Sequence, residues 1–422
     1  MAGFENDAGT SPPPSLQYSS TPLLLIPVRA LIIVLDSVGI GHAPDAANYG
    51  DEGANTLGHI FARVPNLQLP NLCALGLPEV LDQNYSWTRK RFGLPHLASF
   101  GKMTERSAGK DTTTGHWEMA GIILDTPFAL FSRFPYELVS AIEAEAGVRF
   151  IGNYAQSGTA ILQELGPEHV STGNPILYTS ADSVLQIAAH EEVIPPEKLY
   201  AICRIARRHA DRFAIGRVIA RPFLGIDGKF LRTANRHDFS IKPPRTILNT
   251  ITDAGLPVIG IGKISDIFAG EGIAESHPTA SNRDGMEKVN QVWSETKRGL
   301  IFANLVDFDM VYGHRRDAAG YTDALMEFDR WLGLFIDQVS SDDLIIITAD
   351  HGNDPTFRGT DHTREQVPLF VMHHRESHDL GVRETFADIA ASLGVFFQLP
   401  EPWPVGNPFL RRAASQVSTR SS

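Results

Sequence analysis

The sequence predicts an α/β fold in which a mostly parallel sheet is flanked by helices and carries an inserted α/β domain. Continuous aliphatic runs recur along the chain and each ends in polar residues, as in strands that are buried on both faces. Segments of helical period lie between these runs, and a repeated strand-then-helix order is typical of a parallel sheet wrapped by helices. A change of composition in the middle of the chain predicts the insertion.

The predicted strands are the aliphatic runs themselves. The first extends from Ala30 to Leu35 and is followed by Asp36. Three more come late in the chain, at Pro257 to Ile261, Leu300 to Val306 and Leu344 to Thr348. In open α/β sheets, ligands bind at the carboxyl ends of the strands. We therefore expect the functional side chains to follow these runs.

The clearest predicted helix spans Asp317 to Val339. Apolar side chains recur there at spacings of three and four residues, which places them on one helical face. They are Tyr321, Ala324, Leu325, Phe328, Leu332 and Phe335. This helix is one of those expected to cover the sheet.

The domain organisation follows from length and local composition. A chain of 422 residues is long for one domain. Residues 126–242 are rich in Arg and His and have shorter apolar runs, so we predict an inserted cap domain there. The core then consists of residues 29–125 and 243–408. Residues 1–28 and 409–422 lack an apolar period and are predicted to be a flexible extension and a flexible tail.

Charge and cysteine content limit the classes of partner. A formal net charge of −12 argues against nucleic acid, because phosphate backbones are bound by positive surfaces. Cys73 and Cys203 stand outside any paired spacing and are expected to be buried thiols in a reducing compartment. The apolar stretch Leu23 to Ile26 is too short for a secretory or membrane-spanning segment. We expect a cytoplasmic protein without a membrane partner, and the sequence carries no signal of oligomeric state.

A carboxylate and an imidazole follow the last of the predicted strands. Asp350 and His351 come directly after Leu344 to Thr348, and His362 lies eleven residues past His351. Such side chains are ligands for Mn²⁺ or Zn²⁺. Taken alone, this pair is more typical of a capping aspartate with surface histidines.

The same pattern recurs at a second strand end, which favours metal binding. Asp307 and Asp309 follow the strand that begins at Leu300, and His314 stands five residues after Asp309. Asp36 adds a carboxylate at a third strand end. Because unpaired buried carboxylates are costly, a dinuclear metal centre explains these residues better than capping does.

The segment from Gly109 to Glu118 contains a candidate nucleophile. It reads Gly-Lys-Asp-Thr-Thr-Thr-Gly-His-Trp-Glu. It is not a phosphate-binding P-loop, because Thr104 stands where that motif needs its first glycine. Three threonines before Gly115 indicate a helix N-terminus, which favours an anion, and a metal-bound threonine hydroxyl can act as a nucleophile. An ordinary threonine N-cap is the alternative.

Several stretches together resemble the phosphopentomutase family, in that family's order, from Arg29 to about residue 400. They are Asp36-Ser-Val-Gly-Ile-Gly41, the segment of residues 109–118, Asp307-Phe-Asp-Met-Val-Tyr-Gly-His-Arg-Arg-Asp317, Thr348-Ala-Asp-His-Gly-Asn-Asp354 and Gly359-Thr-Asp-His-Thr-Arg-Glu365. Residues 178–190 and 216–222 resemble the cap domain of the family. The resemblance implies an alkaline phosphatase-like core and the interconversion of (deoxy)ribose 1-phosphate and (deoxy)ribose 5-phosphate.

The resemblance also implies roles for individual residues. Thr112 would be the phosphorylated residue, with a bisphosphate as the intermediate. Two Mn²⁺ would be held by Asp36, Asp350 and His351 and by Asp309, His314 and His362. Asp182 would bind the ribose hydroxyls, while Arg217, Arg232 and Lys263 would bind phosphate. Glucose 1,6-bisphosphate or a similar compound would be the activating phosphoryl donor, and small pentose phosphates would be the partners.

Other functions remain as alternatives. A cofactor-independent phosphoglycerate mutase would share the core and the two metals, but that family has Asn-Ser-Glu-Val-Gly-His where this chain has Thr112-Thr-Thr-Gly-His116. A phosphatase or phosphodiesterase of the same superfamily is the next candidate. A non-catalytic binding protein would be expected to lack a metal ligand, and none of the six is missing.

Overall fold

The structure, a computed structural model, describes residues 28–64, 67–81, 96–180, 183–226 and 229–411. The predicted extension, except for Val28, and the predicted tail from residue 412 onward lie outside these ranges. Within them the strands, in chain order, are β1 (Val28–Leu35), β2 (Ser99–Met103), β3 (Ile151–Ala155), β4 (Ile176–Thr179), β5 (Val184–His190), β6 (Arg217–Leu224), β7 (Leu231–Arg232), β8 (His237–Ser240), β9 (Val258–Ile261), β10 (Glu275–His277), β11 (Arg298–Leu305), β12 (Leu344–Thr348), β13 (Val367–Met372) and β14 (Asp379–Arg383).

The helices of the described residues surround these strands. They are α1 (Thr56–Arg63), α2 (Pro70–Leu75), α3 (Leu77–Val80), α4 (Thr112–Met119), α5 (Tyr136–Ala146), α6 (Gly158–Thr172), α7 (Pro196–Ala210), α8 (Ile247–Asp253), α9 (Ile264–Ile267), α10 (Asn282–Glu295), α11 (Ala318–Ile336) and α12 (Asp388–Phe396). Short 3₁₀ turns span Ala46–Tyr49 and Asp211–Phe213, and a single π-helical turn spans Phe308–Gly313. None of the described helices is both long and apolar enough to cross a membrane.

The larger sheet has eight described strands in the order β10-β9-β11-β1-β12-β13-β2-β14. The five strands from β10 to β12 are mutually parallel, and β13 is antiparallel to both of its neighbours. β1, β11 and β12 are almost entirely buried because helices cover both faces of the sheet centre. The predicted mostly parallel sheet flanked by helices is thus confirmed, and its centre consists of three of the predicted strands.

The smaller sheet consists of residues between Ile151 and Ser240. Its described strands are ordered β3-β4-β5-β6-β7, and β8 pairs with the other part of β6. Parallel and antiparallel pairs alternate across it. The sheet has its own buried apolar clusters, separate from the core cluster of the larger sheet. It lies inside the predicted cap, whose boundaries at residues 126 and 242 stay predictions.

The predicted helix over Asp317 to Val339 is observed as α11, and its start has a clear physical cause. The Asp317 side chain accepts a hydrogen bond from the Gly320 amide and caps the helix. The first part of the predicted tail differs from expectation. Phe409 and Leu410 pack against the core, and the Phe409 amide donates to Ser392 Oγ. These apolar side chains have a burial site that local composition does not reveal.

Candidate metal centre and active site

Three aspartates meet at the carboxyl edge of the larger sheet. Asp36 directly follows β1, and Asp350 comes two residues after β12. Asp309 lies in the π-helical turn that follows β11. Because β1 is parallel to β11 on one side and β12 on the other, the three strand ends deliver these carboxylates to one place. All three side chains are buried.

His351 links two of these carboxylates. Its Nε2 atom lies 3.5 Å from Asp36 Oδ1 and 3.4 Å from Asp350 Oδ2. The His351 side chain is almost completely buried, so it approaches the carboxylates from inside the protein. This half of the cluster contains the three residues that the family resemblance implies for one metal.

His314 and His362 flank the third carboxylate. His314 Nε2 lies 3.2 Å from Asp309 Oδ2, and His362 Nε2 lies 3.4 Å from Asp309 Oδ1. The two Nε2 atoms are themselves 3.2 Å apart. The rings of His362 and His351 stack with their centroids 4.0 Å apart, which joins the two halves. All six residues predicted as metal ligands therefore lie in one cluster.

Hydrogen bonds from neighbouring groups orient the carboxylates. Asn304 Nδ2 donates to Asp36 Oδ2 at 3.0 Å, and Asn353 Nδ2 donates to Asp309 Oδ1 at 2.7 Å. The backbone amide of Ser37 donates to Asp350 Oδ1 at 3.0 Å. Ser37 has a φ of 74°, a left-handed conformation that is uncommon for a residue with a side chain and that often occurs at functional sites. Outer hydrogen bonds of this kind fix the orientation of metal ligands.

The carboxylates of the cluster differ in how far neighbouring positive charge compensates them. Burial raises the pKa of Asp36 well above its ordinary range, and the charges of Asp350 and Asp309 raise it further. Burial also acts to raise the pKa of Asp309, but His362 and His314 hold that pKa well below its ordinary value. The Asp309 carboxylate is thus compensated by its histidines, whereas the charge of Asp36 is not.

The donor set fits divalent cations. Asp36 Oδ1 and Asp350 Oδ2 are buried and have no hydrogen-bond partner among the described residues. Two groups have ligand atoms within 4.8 Å of one another: Asp309 with His314 and His362, and Asp36 with Asp309 and His351. The first is one of the two implied sets, and the second differs in having Asp309 where the resemblance implies Asp350. Carboxylates and imidazoles suit Mn²⁺ and Zn²⁺.

Thr112 is the first residue of α4 and contacts this cluster. Its Oγ1 atom lies 3.2 Å from His351 Nε2. The helix can approach the end of β12 because Gly115 has no side chain: a Cβ atom there would lie 2.3 Å from the carbonyl oxygen of Asp350. A threonine hydroxyl at a helix N-terminus is therefore adjacent to the predicted metal ligands.

The neighbouring threonines have other environments. The N-cap of α4 is Asp111, not a threonine, and its carboxylate accepts from the Thr114 amide at 3.1 Å. Thr114 Oγ1 donates to the same carboxylate at 2.5 Å, and the Thr114 side chain is buried. The alternative of a threonine N-cap is therefore wrong, because an aspartate one position earlier accepts the free amide instead.

Sequence reasoning assigned no role to Arg364, which holds the segment before α4. Its buried guanidinium forms a two-point ion pair with Asp45, at 3.1 and 2.9 Å, and another with Glu105 at 2.6 Å. It also donates to the carbonyl oxygens of Ser107 and Gly109. Arg364 thus ties the loop that contains His362 to the segment that leads to Thr112. The sequence shows an arginine near a metal ligand, but no local pattern indicates that it is buried.

Glu118 anchors the same segment from the other side. Its buried carboxylate accepts from the amides of Arg106 and Ser107 and from Thr385 Oγ1 and the Phe386 amide. Because Glu118 lies in α4, these bonds fix the helix relative to residues 105–109. Its spacing from Thr112 is visible in the sequence, but its partners are distant in the chain.

The predicted phosphate-binding arginines lie on the smaller sheet. Arg217, at the start of β6, lies 3.9 Å from Asp238 and is partly exposed. Arg232, in β7, is exposed, and its Nη2 atom donates weakly to Thr159 Oγ1 at 3.4 Å. Asp182, the predicted ribose-binding residue, lies outside the described residues.

Lys263, the remaining predicted phosphate-binding residue, acts electrostatically on two nearby carboxylates. It stands at the start of α9, and its positive charge lowers the pKa of Asp36 against the larger opposing effect of burial. Asp266, in the same helix, has its pKa raised by burial and by the charge of Asp238 in β8, and lowered by Lys263. Lys263 thus acts on the pKa of a carboxylate in the metal-ligand cluster and on that of a carboxylate in its own helix.

Comparison with known proteins identifies the family of this chain. Residues 28–401 match the Metalloenzyme superfamily. The chain is 52% identical over 376 residues to the phosphopentomutase of Carboxydothermus hydrogenoformans, a match covering 88% of this chain and 96% of that protein. The chain belongs to the phosphopentomutase family. A second phosphopentomutase, from Syntrophotalea carbinolica, is 52% identical over 380 residues, covering 88% of this chain and 95% of that protein.

A solved phosphoglycerate mutase from Leishmania mexicana is much less similar. It is 14% identical and aligns with a TM-score of 0.45, over 91% of this chain and 98% of that chain. Likeness of this degree supports no functional inference. The phosphopentomutase relatives, in contrast, identify the chain as an enzyme of the isomerase type with mutase activity. The superfamily match implies divalent metal binding, for which the two groups above are the candidates. The family prediction made from the sequence motifs is confirmed.

Proposed function

We propose that this enzyme interconverts (deoxy)ribose 1-phosphate and (deoxy)ribose 5-phosphate through a phosphorylated Thr112 and a pentose bisphosphate. The observation that carries the proposal is the position of Thr112 Oγ1, 3.2 Å from His351 Nε2 at the edge of a cluster of six potential ligands. The names of the relatives, at about half identity over most of the chain, support pentose phosphates as the substrates.

The metals of this proposal are two divalent cations, with Mn²⁺ as the expected ion. One would be held by Asp36, Asp350 and His351, and the other by the Asp309 set with His314 and His362. When bound, the cations would neutralise the carboxylates and stabilise charge on the transferring phosphoryl group. Asp36 Oδ1 and Asp350 Oδ2, which accept no hydrogen bond among the described residues, support this assignment.

The chain's own residues would carry the transfer in two balanced steps. The bond from phosphorus to Thr112 Oγ1 breaks as a bond forms to the free hydroxyl oxygen of the pentose phosphate, and the hydroxyl proton is released. The bisphosphate then returns its other phosphoryl group to Thr112, and the vacated substrate oxygen regains a proton. Glucose 1,6-bisphosphate would supply the first phosphoryl group to an unphosphorylated enzyme.

The cap would hold the substrate between these two steps. Asp182 would bind the ribose hydroxyls, while Arg217, Arg232 and Lys263 would bind the phosphate that is not being transferred. The positive charge of Lys263 beside Asp36 supports its place at this junction. By covering the site, the cap would also keep water from the phosphothreonine. The two buried free cysteines suit a reducing compartment, and we propose the cytoplasm as the location.

A coupled assay of ribose 1-phosphate conversion tests the reaction. Turnover is expected to require Mn²⁺ and to be stimulated by glucose 1,6-bisphosphate. Conversion of phosphoglycerate in place of the pentose phosphate, or simple release of inorganic phosphate, would instead favour the alternative mutase or a phosphatase.

Three single variants test the nucleophile. Thr112→Ala is expected to abolish turnover while leaving fold and metal content largely intact. Thr113→Ala is the matched control and should remain active. Thr114→Ala should cost roughly 0.5–2 kcal/mol of stability, because it removes a hydroxyl bound to the helix cap. Mass spectrometry that maps the phosphate to Thr113 or Thr114 would contradict the assignment.

A further inference from the structure

His116 is a fully buried histidine to which the proposed reaction gives no role. It lies in α4, four residues after Thr112, and its ring stacks on that of Phe302 in β11 with the centroids 5.7 Å apart. Each nitrogen of an imidazole ring can form a hydrogen bond, and buried polar groups in native proteins are generally paired. The partners of the two nitrogens therefore indicate what this side chain does.

The Nδ1 atom of His116 contacts the residue proposed as the nucleophile. It lies 2.9 Å from the carbonyl oxygen of Thr112 and 3.2 Å from Asp350 Oδ2. Because a carbonyl oxygen only accepts, the Nδ1 atom carries a proton and donates it to Thr112. Thr112 is the first residue of α4, and the first amides of a helix have no partner within the helix. The carbonyl group is therefore the helical anchor of Thr112, and His116 reinforces it.

The Nε2 atom of His116 is linked to a metal ligand through Asn304. Asn304 Nδ2 lies 3.3 Å from His116 Nε2 and donates to Asp36 Oδ2 at 3.0 Å. Because a carboxylate oxygen accepts, the amide nitrogen of Asn304 must face Asp36, and its second hydrogen is then available to His116. Nε2 is therefore the accepting nitrogen, without a proton. A chain of hydrogen bonds runs from Asp36 through Asn304 and His116 to Thr112.

We propose that His116 is a positioning residue for phosphoryl transfer, which holds Thr112 in a fixed place relative to Asp36 and Asp350. This inference rests on the proposed function, because it concerns the residue taken there as the nucleophile. The ring is fully buried, so it acts through Thr112 and not on the substrate. A misplacement of reacting groups by about 1 Å costs about 10²-fold in rate, so the loss of this anchor lowers kcat.

His116→Phe removes both hydrogen bonds and keeps an aromatic ring beside Phe302. In the Mn²⁺-loaded enzyme we expect kcat with ribose 5-phosphate to fall about 10²-fold, while KM changes by less than about 3-fold. The metal content, measured by elemental analysis, should stay at the wild-type level, because the six ligands and the hydrogen bonds that orient their carboxylates remain.

His116→Asn is the conservative variant. An asparagine side chain can place an amide N–H group close to the position of Nδ1, so the bond to the Thr112 carbonyl can form again. We expect kcat to be reduced only about 10-fold relative to wild type, with KM unchanged. This variant also tests the inference if His116→Phe does not fold.

His169→Phe is the matched control. His169 in α6 is equally buried, its Nδ1 atom donates to the carbonyl oxygen of Asn174 at 2.7 Å, and its Nε2 atom accepts from the His190 amide at 2.8 Å. The substitution therefore removes the same two kinds of hydrogen bond, but in the predicted cap. Even if its unfolding temperature falls, this variant should keep the wild-type kcat below its unfolding transition.

NMR of the Zn²⁺-loaded protein with ¹⁵N-labelled histidine gives a readout that does not depend on activity. The imidazole signals that disappear in His116→Asn should come from a ring with its proton on Nδ1 and none on Nε2. Protonation at Nε2 would overturn the inference. So would equal losses of kcat in His116→Phe and His169→Phe, loss of metal from His116→Phe, or a raised KM with unchanged kcat in either His116 variant. Absence of pentose phosphate conversion by the wild-type enzyme would instead refute the proposed function.

Discussion

The two sheets of this enzyme carry functional side chains of opposite charge. In the larger sheet, three parallel strands bring three buried aspartates to one edge, and bound cations would neutralise their negative charge. In the smaller sheet, Arg221 and Arg232 form no ion pair with a carboxylate of the described residues, and their positive charge would suit an anion. A metal-dependent phosphotransfer enzyme needs both. If the proposed function holds, chemistry and substrate recognition are divided between two separately packed regions.

The regions also differ in how firmly they hold their functional groups. Asp36, Asp309 and Asp350 each receive a hydrogen bond from an asparagine or a backbone amide and are buried. Arg232 is exposed and has one weak hydrogen bond, to Thr159. Substitutions in the larger sheet should therefore affect metal binding, catalysis and stability, whereas those in the smaller sheet should affect substrate affinity alone.

The largest effect is expected at Asp309, which belongs to both candidate metal groups. Asp309→Asn keeps the size of the side chain but removes the charge shared by the two groups. We expect at least about 10³-fold loss of turnover and loss of bound metal, measured by the coupled assay and by elemental analysis. Asp307→Asn is the control, since Asp307 accepts from the Asn282 amide instead. Retention of both metals by Asp309→Asn would contradict the expected dependence of metal binding on the carboxylates of the larger sheet.

Arg364 should have the largest effect on stability. Arg364→Ala leaves Glu105 buried without its ion-pair partner and frees the segment that precedes α4. The expected loss in unfolding free energy is about 3–5 kcal/mol, with reduced turnover in the protein that remains folded. Arg358→Ala, an exposed arginine of the same loop whose side chain donates to the Gly50 carbonyl, should cost less than about 1 kcal/mol in denaturant unfolding. Equal costs for the two variants would contradict a special role for Arg364.

A smaller, pH-dependent effect is expected from Glu365. Burial raises its pKa to about 7, although hydrogen bonds from Thr363 and Thr56 oppose the shift. The folded protein therefore favours the neutral carboxyl, and this contribution to stability is fully present below about pH 4.5 and is lost as the pH rises through about 7. The unfolding free energy of wild type relative to Glu365→Gln should fall by at most about 3 kcal/mol between pH 5 and 8. A difference that is flat or rises over this window would refute the expectation.

The smallest effect is expected in the smaller sheet, at Arg232. Because the side chain is exposed, Arg232→Ala should leave the unfolding free energy nearly unchanged. Loss of one charged hydrogen bond to phosphate should raise the KM for ribose 5-phosphate roughly 10-fold, with little change in kcat. Arg149→Ala, another exposed arginine of the predicted cap, is the control and should leave the KM unchanged. A fall in kcat without a change in KM would show that the division between the regions is not as described.

The sequence by itself determined the elements whose signal is local. Aliphatic runs predicted β1, β9, β11 and β12 to within about two residues, because strands buried on both faces leave no other pattern. The Asp and His residues that follow them were visible as candidate ligands for the same reason. The family motifs added Thr112 and its offset from His116, since a motif preserves spacing as well as residue type.

Only the tertiary structure decided which distant residues meet. The parallel alignment of β11, β1 and β12 brings Asp36, Asp309 and Asp350 together. The spacing of residues along the chain does not show that Asp309 belongs to both candidate metal groups. The role of Arg364 depends on Asp45 and Glu105, which are more than 250 residues away in sequence. The Tyr178 hydroxyl, which has no hydrogen-bond partner among the described residues, is likewise defined by its surroundings. Burial and pairing depend on three-dimensional packing, so they could not be predicted from residue type and spacing alone.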